Sequence, residues 1–339
     1  MDILKHRYIY IGVSAVLFVV SLFLLIFSEL NLGIDMTGGI QLEYDYTNSV
    51  DLDKVASELE LKRKSLLSDN KEVINSVNVY SVTGEKTIAV VVGFHNISDD
   101  IKLDELKKTF KSQIFDIVKS QDNTVIEAKY INIGKTFGDY IKKTAYITLA
   151  IALVTISLYV AYAFSGIASG VSTYSFAVIT ILTLFHDIII STGAFIFVSF
   201  FLPEFQIDTF FITALLTILG YSINDTIVVF DRIRSNLDKY VGKTGKNSKN
   251  LYEIINLSIS ETIVRSIYTS LTLFFVLLTI FIFGPESING FILALLFGTI
   301  FGTYSSIFIA SPLLYEANKN KTLSVYKKIE YNPDDKIVV

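Results

Sequence analysis

Gly220-Tyr-Ser-Ile-Asn-Asp-Thr-Ile-Val-Val-Phe-Asp-Arg-Ile-Arg234 sets a carboxylate, Asp225, inside a segment otherwise apolar enough to cross a membrane. The apolar run begins near Ile207 and continues to Phe230, about the 20 residues that the hydrocarbon core of a bilayer requires of a helix. A carboxylate within such a span is costly, and marks an ion path, a proton relay or a buried pair. Asn224 precedes it, and Ser222 and Thr226 flank it with further oxygens that could ligate an ion. Asp231, Arg232 and Arg234 come next and read as interfacial charges.

The rest of the chain fits a membrane protein. Of its 339 residues 51% are hydrophobic, with a mean hydropathy of +0.52, too apolar for an ordinary soluble domain. A net charge of -4 gives no field for nucleic acid. The absence of Cys excludes disulfides, thiolate-bound zinc and cysteine nucleophiles. His6, His95 and His186 are scattered without metal-ligand spacing, and no glycine-rich phosphate cradle is present. No cofactor is therefore expected, and ATP is not the expected direct energy source.

Six segments read as spanning helices, at roughly 8–28, 144–164, 173–202, 207–230, 266–283 and 288–314. Lys5-His6-Arg7 precede the first run, as in a signal peptide. That run is longer than a signal core and no small-x-small cleavage site follows, so it reads as a retained anchor. Lys5 and Arg7 place the N-terminus in the cytoplasm by the positive-inside rule. The loop with Arg232, Arg234, Lys239, Lys243, Lys246 and Lys249 then falls on the same side, as does the tail with Lys319, Lys321, Lys327 and Lys328. The loops 203–206 and 284–287 lack Lys and Arg and fall outside. The expected division is a cytoplasmic N-terminus and first span at 1–28, an extracytoplasmic domain at 29–143, a bundle of spans two to six at 144–314 and a cytoplasmic tail at 315–339.

The extracytoplasmic region alternates between two periods. Ile40-Gln-Leu-Glu-Tyr-Asp-Tyr46 alternates apolar and polar residues as a half-buried strand does. Residues 52–67 and 103–118 have helical spacing; 73–82 and 86–94 are β-rich runs separated by Thr83-Gly84-Glu85, and 125–131 is a last strand. The order β-α-β-β-α-β predicts a ferredoxin-like α+β unit. No catalytic constellation is visible in it, and His95 reads as a surface residue.

More polar residues lie within the other spans. Arg265 sits near the start of the fifth, in Ser260-Glu-Thr-Ile-Val-Arg-Ser-Ile-Tyr-Thr-Ser270. The fourth and fifth spans are antiparallel, so Asp225 and Arg265 reach similar depths and can pair; snorkelling of Arg265 to anionic headgroups of membrane lipids is the alternative. His186-Asp187 lies mid-span in the third segment, as a relay or as a structural pair. Adjacent residues point about 100° apart on a helix, so the two are not expected to face one partner. Gly298 and Gly302 form a small-xxx-small spacing for helix contact in the sixth. Ser305, Ser306 and Ser311 are expected to bond their own helix backbone, and Pro312 to end the span.

These motifs resemble those of SecF proteins, membrane subunits of the SecD–SecF accessory to the bacterial Sec translocon. Leu32-Gly-Ile-Asp-Met-Thr-Gly-Gly39 is similar to the family's LGIDFTGG, with Met36 in place of Phe. GYSINDTIVVFDRIR, the His186-Asp187 pair and Gly302-Thr-Tyr-Ser-Ser-Ile-Phe-Ile-Ala-Ser-Pro-Leu-Leu314 resemble its fourth, third and sixth spans. The fifth diverges at Ser260, Glu261, Ile263, Val264 and Ser266 but keeps Arg265. The resemblance implies an RND-type half of six spans in the bacterial plasma membrane, both termini cytoplasmic. It implies ion coupling by Asp225 and Arg265, to which the spans add His186, Asp187 and Asn224, and a structural motif at Gly33, Asp35, Gly38 and Gly39. The implied partners are a SecD-like subunit, the SecYEG translocon with YajC and YidC, and a translocating preprotein, whose late export the proton motive force would drive without ATP. Two alternatives are an RND-type transporter of a small molecule or lipid, and an intramembrane hydrolase. The aspartyl form of the latter needs a second carboxylate near Asp225, for which Asp187 is too distant on a rough depth count. The serine form needs a Ser and a His brought together.

Overall fold

The computed structural model describes residues 2–28, 30–65, 67–68, 71–82, 86–94, 100–164, 171–202, 204–241, 249–321 and 323. The turn at Thr83-Gly84-Glu85, His95, and the lysines Lys243, Lys246, Lys327 and Lys328 lie outside those residues. Among the described residues six helices are long and apolar enough to cross a membrane.

The first, α1 (Arg7–Phe27), follows a single 3-10 turn and is apolar nearly all round, apart from Ser14 and Ser21 on its buried side. A connector with one helical turn, α2 (Ile34–Thr37), leads to the inserted domain. That domain contains β1 (Gly39–Asp45), α3 (Leu52–Ser65), the short pair β2 (Leu67–Ser68) and β3 (Lys71–Glu72), β4 (Ile74–Val82), β5 (Thr87–Phe94), α4 (Asp100–Gln121) and β6 (Ile126–Ile133). The chain then returns to the bundle through α5 (Lys135–Ala163), α6 (Thr173–Ser199), α7 (Thr209–Val241), α8 (Leu251–Phe283) and α9 (Asn289–Ser305). A π-helical stretch, Ser306–Ala310, joins α9 to α10 (Ser311–Asn318).

The four long strands form one antiparallel sheet in the order β4-β5-β1-β6. The alternation read in β1 fixes its register: Ile40 lies opposite Val92 and Asn132, and Leu42 opposite Val90 and Tyr130. Ile40, Leu42 and Tyr44 are fully buried with Val55 and Leu59 of α3 and Phe110, Ile114 and Val118 of α4. One sheet face therefore carries both helices, and their burial supplies the drive for this domain to fold. The pair β2–β3 was not expected; two residues per strand give no periodicity to read.

Four of the expected helices run longer than their apolar stretches; α5 begins at Lys135, nine residues before the expected start at 144. α7 continues past Phe230 to Val241 because Ile233, Asn236, Leu237 and Val241 stay buried while Asp231 and Arg232 face outward. α8 begins at Leu251, fifteen residues before the expected start at Ser266; Asn250 caps it by accepting from Glu253 N at 2.9 Å. Hydropathy finds the part that suits a membrane, whereas packing decides where a helix ends. Pro312 does not end the sixth span. It lacks an N–H for the Phe308 carbonyl, and the π-helical stretch lets the helix pass it and continue to Asn318.

α7 lies at the centre of the bundle, against α6, α8 and α9. Gly298 and Gly302 of α9 make its approach to α7 possible. A Cβ on Gly298 would sit 2.1 Å from Ile218 Cγ1, and one on Gly302 would sit 3.0 Å from Ser222 Cβ.

Candidate functional site

Two polar networks occupy the bundle core. The first centres on Asp187, which is fully buried. Its Oδ2 accepts from Ser222 Oγ of α7 at 2.5 Å and from Ser305 Oγ of α9 at 2.8 Å. Its Oδ1 lies 2.8 Å from His186 Nδ1. His186 Nε2 in turn meets Ser14 Oγ of α1, and the imidazole stacks on Phe18 with centroids 6.2 Å apart. A carboxylate in apolar surroundings needs such partners, because every unmade hydrogen bond there costs free energy. As the 100° between successive helical residues leads one to expect, the two share no partner: His186 reaches Ser14 of α1 and Asp187 reaches Ser222 and Ser305, while the side chains also bond each other. Ser305 meets its own helix at Gly302 O, 3.1 Å away, as expected, and in addition reaches Asp187 across the bundle.

The second network holds Asp225, which is 3% exposed and sits at the midpoint of α7. Ser270 Oγ of α8 accepts from Tyr221 OH at 2.8 Å and from Thr303 Oγ1 at 2.6 Å. Its own proton can go to Asp225 Oδ2 at 3.3 Å or to Ser266 O at 2.8 Å, so it can switch between carboxylate and helix. Beside these, Thr226 Oγ1 and Ser306 Oγ lie 2.8 Å apart. The expected Asp225–Arg265 ion pair is not formed among the described residues. Ser270 occupies that place; Arg265, five residues earlier and so about 140° round α8, is exposed. Asn224 also faces outward.

The depth count for Asp187 also needs correction. Its partner Ser222 lies three residues before Asp225, so the two carboxylates differ in depth by about 4.5 Å, less than one helical turn. No hydrogen bond joins them among the described residues, so the dyad of an aspartyl hydrolase is not formed. Sequence reading missed Ser14, Tyr221, Ser270 and Thr303. One signal was available for the first: Ser14 and Ser21 are seven residues apart in an otherwise apolar helix, and both face α6, where a Cβ on Gly193 would meet Ser21 Cβ at 2.3 Å.

The Leu32–Gly39 motif builds the joint between the inserted domain and α7. Gly33 N donates to Ile207 O at 2.9 Å and Ile207 N to Asn31 O at 2.7 Å, a short parallel bridge. Asp35 Oδ2 accepts from Thr209 N at 2.7 Å and also from Thr209 Oγ1. Asp208 Oδ1 accepts from Phe211 N at 2.7 Å as the N-cap of α7, which therefore starts two residues later than expected. Burial pushes the Asp208 carboxyl up to about 6, and the neighbouring charge of Asp35 adds to the shift. Gly38 has φ 73°, and a Cβ there would lie 2.7 Å from Lys135 Cα at the start of α5. Gly39 passes so close to β5 that a Cβ would meet Val92 O at 2.3 Å. The connector thus grips the N-terminus of the helix whose midpoint carries Asp225. Among the described residues no group of three or more His, Asp and Glu is placed to hold a metal ion.

A six-span bundle with an α+β domain after its first span, and carboxylates on two adjoining core helices, defines a polytopic membrane protein with ionisable groups in its interior. Its sequence has relatives of the same build. The family "Protein export membrane protein SecD/SecF, C-terminal" matches residues 113–320. The chain is 37% identical to protein translocase subunit SecF of Calditerrivibrio nitroreducens over 93% of each chain, and 35% identical to that of Sebaldella termitidis over 93% of this chain and 91% of the other. The crystal structure of SecDF, a translocon-associated membrane protein from Thermus thermophilus, superposes with a TM-score of 0.71 at 26% identity, covering 94% of this chain and 39% of that one. The chain belongs to the SecD/SecF family of protein-export membrane proteins. It spans nearly all of the SecF subunits it matches and well under half of the SecDF chain.

Proposed function

We propose that the chain is the SecF-type subunit of the accessory complex of the Sec preprotein translocase, drawing on the proton motive force to promote late, ATP-independent movement of polypeptide across the plasma membrane. One observation carries the reading: two buried carboxylates, Asp187 and Asp225, sit in hydroxyl networks on either side of α7, and the inserted domain holds the end of that helix. A proton gained or lost in the core changes hydrogen bonds on α6, α7, α8 and α9 together, and α7 transmits the change over about 24 Å to the connector. Asp225 is the primary ion-binding group, His186–Asp187 the second, and Arg265 and Asn224 are the outward-facing groups that meet a partner. Hydroxyl and carboxylate oxygens around Asp225 suit a proton better than a sodium ion, since Ser270 is its one side-chain hydrogen-bond partner among the described residues.

The partner is a SecD-like subunit that completes a twelve-span unit and works beside SecYEG. Support comes from the SecDF protein of Bacillus subtilis, 34% identical over 91% of this chain, of which the chain spans 37%. The inserted domain, expected at 29–143 and handing over to α5 at Lys135, is a ferredoxin-like unit on the extracytoplasmic side: its two long helices and four long strands follow the order β-α-β-β-α-β with the sheet order β4-β5-β1-β6. Both termini lie in the cytoplasm, supported by the lysines and arginines between Arg232 and Lys249 and those of the tail. The test is export into inverted membrane vesicles containing the SecD-like partner. Asp225→Asn is expected to abolish stimulation of export by the proton gradient while the complex still co-purifies. Full stimulation by that variant overturns the reading.

A further inference from the structure

The hydrogen-bond pattern around His186 reaches further than the two carboxylates. Ser14 Oγ, His186 Nε2, His186 Nδ1 and Asp187 Oδ1 follow one another in line. Asp187 Oδ2 takes Ser222 and Ser305, which leaves Oδ1 alone facing Nδ1, so the place of the imidazole proton turns on what Ser14 does at Nε2. Where Ser14 donates, Nε2 carries the lone pair and the ring proton sits on Nδ1, towards Asp187.

Ser14 has a competing choice. A serine in a helix commonly turns back to the carbonyl four residues earlier, and in this bundle Thr180, Ser258 and Thr299 do so, each at 2.8 Å. For Ser14 that carbonyl is Tyr10 O. It already receives the Tyr304 hydroxyl from α9 at 3.0 Å, beside the backbone N–H of its own helix. A carbonyl oxygen has two lone pairs, so both are taken and the Ser14 proton is left for His186.

The order Ser, His, Asp is that of a serine hydrolase, but Ser14 is 3% exposed, and the backbone N–H groups beside it are engaged within α1, leaving no oxyanion donor. The arrangement positions a proton and does not attack a substrate. Around it α9 brings Tyr304 and no charged residue, α1 brings Tyr10 and no charge nearer than Arg7, and α7 brings Tyr221 and Asp225.

We propose that Ser14 is a positioning residue of the relay, fixing His186 as the Nδ1–H tautomer that faces Asp187, and that Tyr304 keeps Ser14 in that role. The proposal rests on the reading that this bundle handles protons. It makes α1 part of the machinery: a proton added at Nε2 turns that nitrogen into a donor, the bond to Ser14 reverses, and the helix leading to the connector registers the change.

The test is nitrogen-15 NMR of the full chain, labelled at histidine and reconstituted in phosphatidylethanolamine–phosphatidylglycerol vesicles, with His186 assigned through His186→Gln. At neutral pH the wild type is expected to show a protonated Nδ1 and an unprotonated Nε2. Ser14→Ala is expected to mix the two tautomers, and Tyr304→Phe to do so partly, by freeing the Tyr10 carbonyl. Proton-driven export should fall about tenfold in Ser14→Ala, the effect of one buried hydrogen bond. A wild-type ring protonated at Nε2, or an unchanged spectrum in Ser14→Ala, overturns the proposal, and an unchanged Tyr304→Phe spectrum overturns the part given to Tyr304. Absence of proton-driven export in the wild type would instead defeat the functional reading, and the tautomer would still decide the position of Ser14.

Discussion

Asp208→Asn should make the protein more stable, although it alters a helix cap next to the family motif. Asp208 holds the first turn of α7 through Phe211 N, but burial and the nearby Asp35 raise its carboxyl from 3.8 to about 6. A raised acid binds its proton more tightly in the folded state. The stability linked to that proton is fully present below the ordinary carboxylate value and is lost as pH rises through about 6. At pH 7.5 the wild type therefore bears the whole penalty, a shift of about two units or about 3 kcal/mol. Asparagine keeps the Oδ1 acceptor for Phe211 N, carries no charge, and ranks with aspartate as an N-cap. The variant should be more stable by up to about 3 kcal/mol at pH 7.5, and the advantage should vanish by about pH 4. Pulse proteolysis of the full chain in bicelles across a denaturant series, repeated between pH 4 and 8, measures this difference directly. A destabilised Asp208→Asn at pH 7.5, or a difference that does not change with pH, refutes the reasoning.

Gly38→Ala should loosen the joint between the inserted domain and α5, because its backbone conformation suits glycine and a Cβ strikes Lys135 Cα at 2.7 Å; a cost of about 1–3 kcal/mol should appear as faster proteolytic cutting of the connector. Gly298→Val should separate α9 from α7 at Ile218, lowering the thermal midpoint through overpacking of about 1–3 kcal/mol. Gly12→Val is its control in the same assay and should be silent, since no atom lies within 4 Å of a Cβ there. Asp122 accepts from Thr47 N, Asn48 N and Nδ2, and Thr124 N and Oγ1. The Thr124 and Asn48 amides hold its carboxyl well below the usual range, so its contribution is present above about pH 4 and fades as pH falls below that. Asp122→Ala should accordingly lower the thermal midpoint of the inserted domain at pH 7, with the gap to wild type narrowing in acid.

The architecture was legible because it depends on long apolar runs and strict alternation. Ile40 to Tyr44 announces a strand with one buried face, and the six apolar stretches each supply one spanning helix. What the sequence concealed depends on direction rather than pattern. Hydropathy could not see that α7 and α8 continue past their apolar stretches, because Asn236, Ser258 and Glu261 satisfy one another across the helix pair. The ionisable residues of the core were legible as oddities, but their partners were not. Arg265 seemed the natural counter-charge for Asp225 on depth alone, whereas the angle round α8 presents Ser270 instead. Serines and threonines are too common in helices to stand out, and yet Ser14, Ser222, Ser270, Thr303 and Ser305 form the networks. The glycines of Leu32–Gly39 were readable as a motif, but their reason, the close passage against Lys135 and Val92, is purely tertiary.

The central claim is that Asp225 couples an ion gradient to the movement of polypeptide. Its most direct test is export into vesicles holding the chain and its SecD-like partner, with a proton gradient or a sodium gradient imposed separately, for wild type and Asp225→Asn. The account predicts export that follows the proton gradient in the wild type, ignores sodium, and becomes independent of both in Asp225→Asn. Export by Asp225→Asn that still rises with the proton gradient would contradict it.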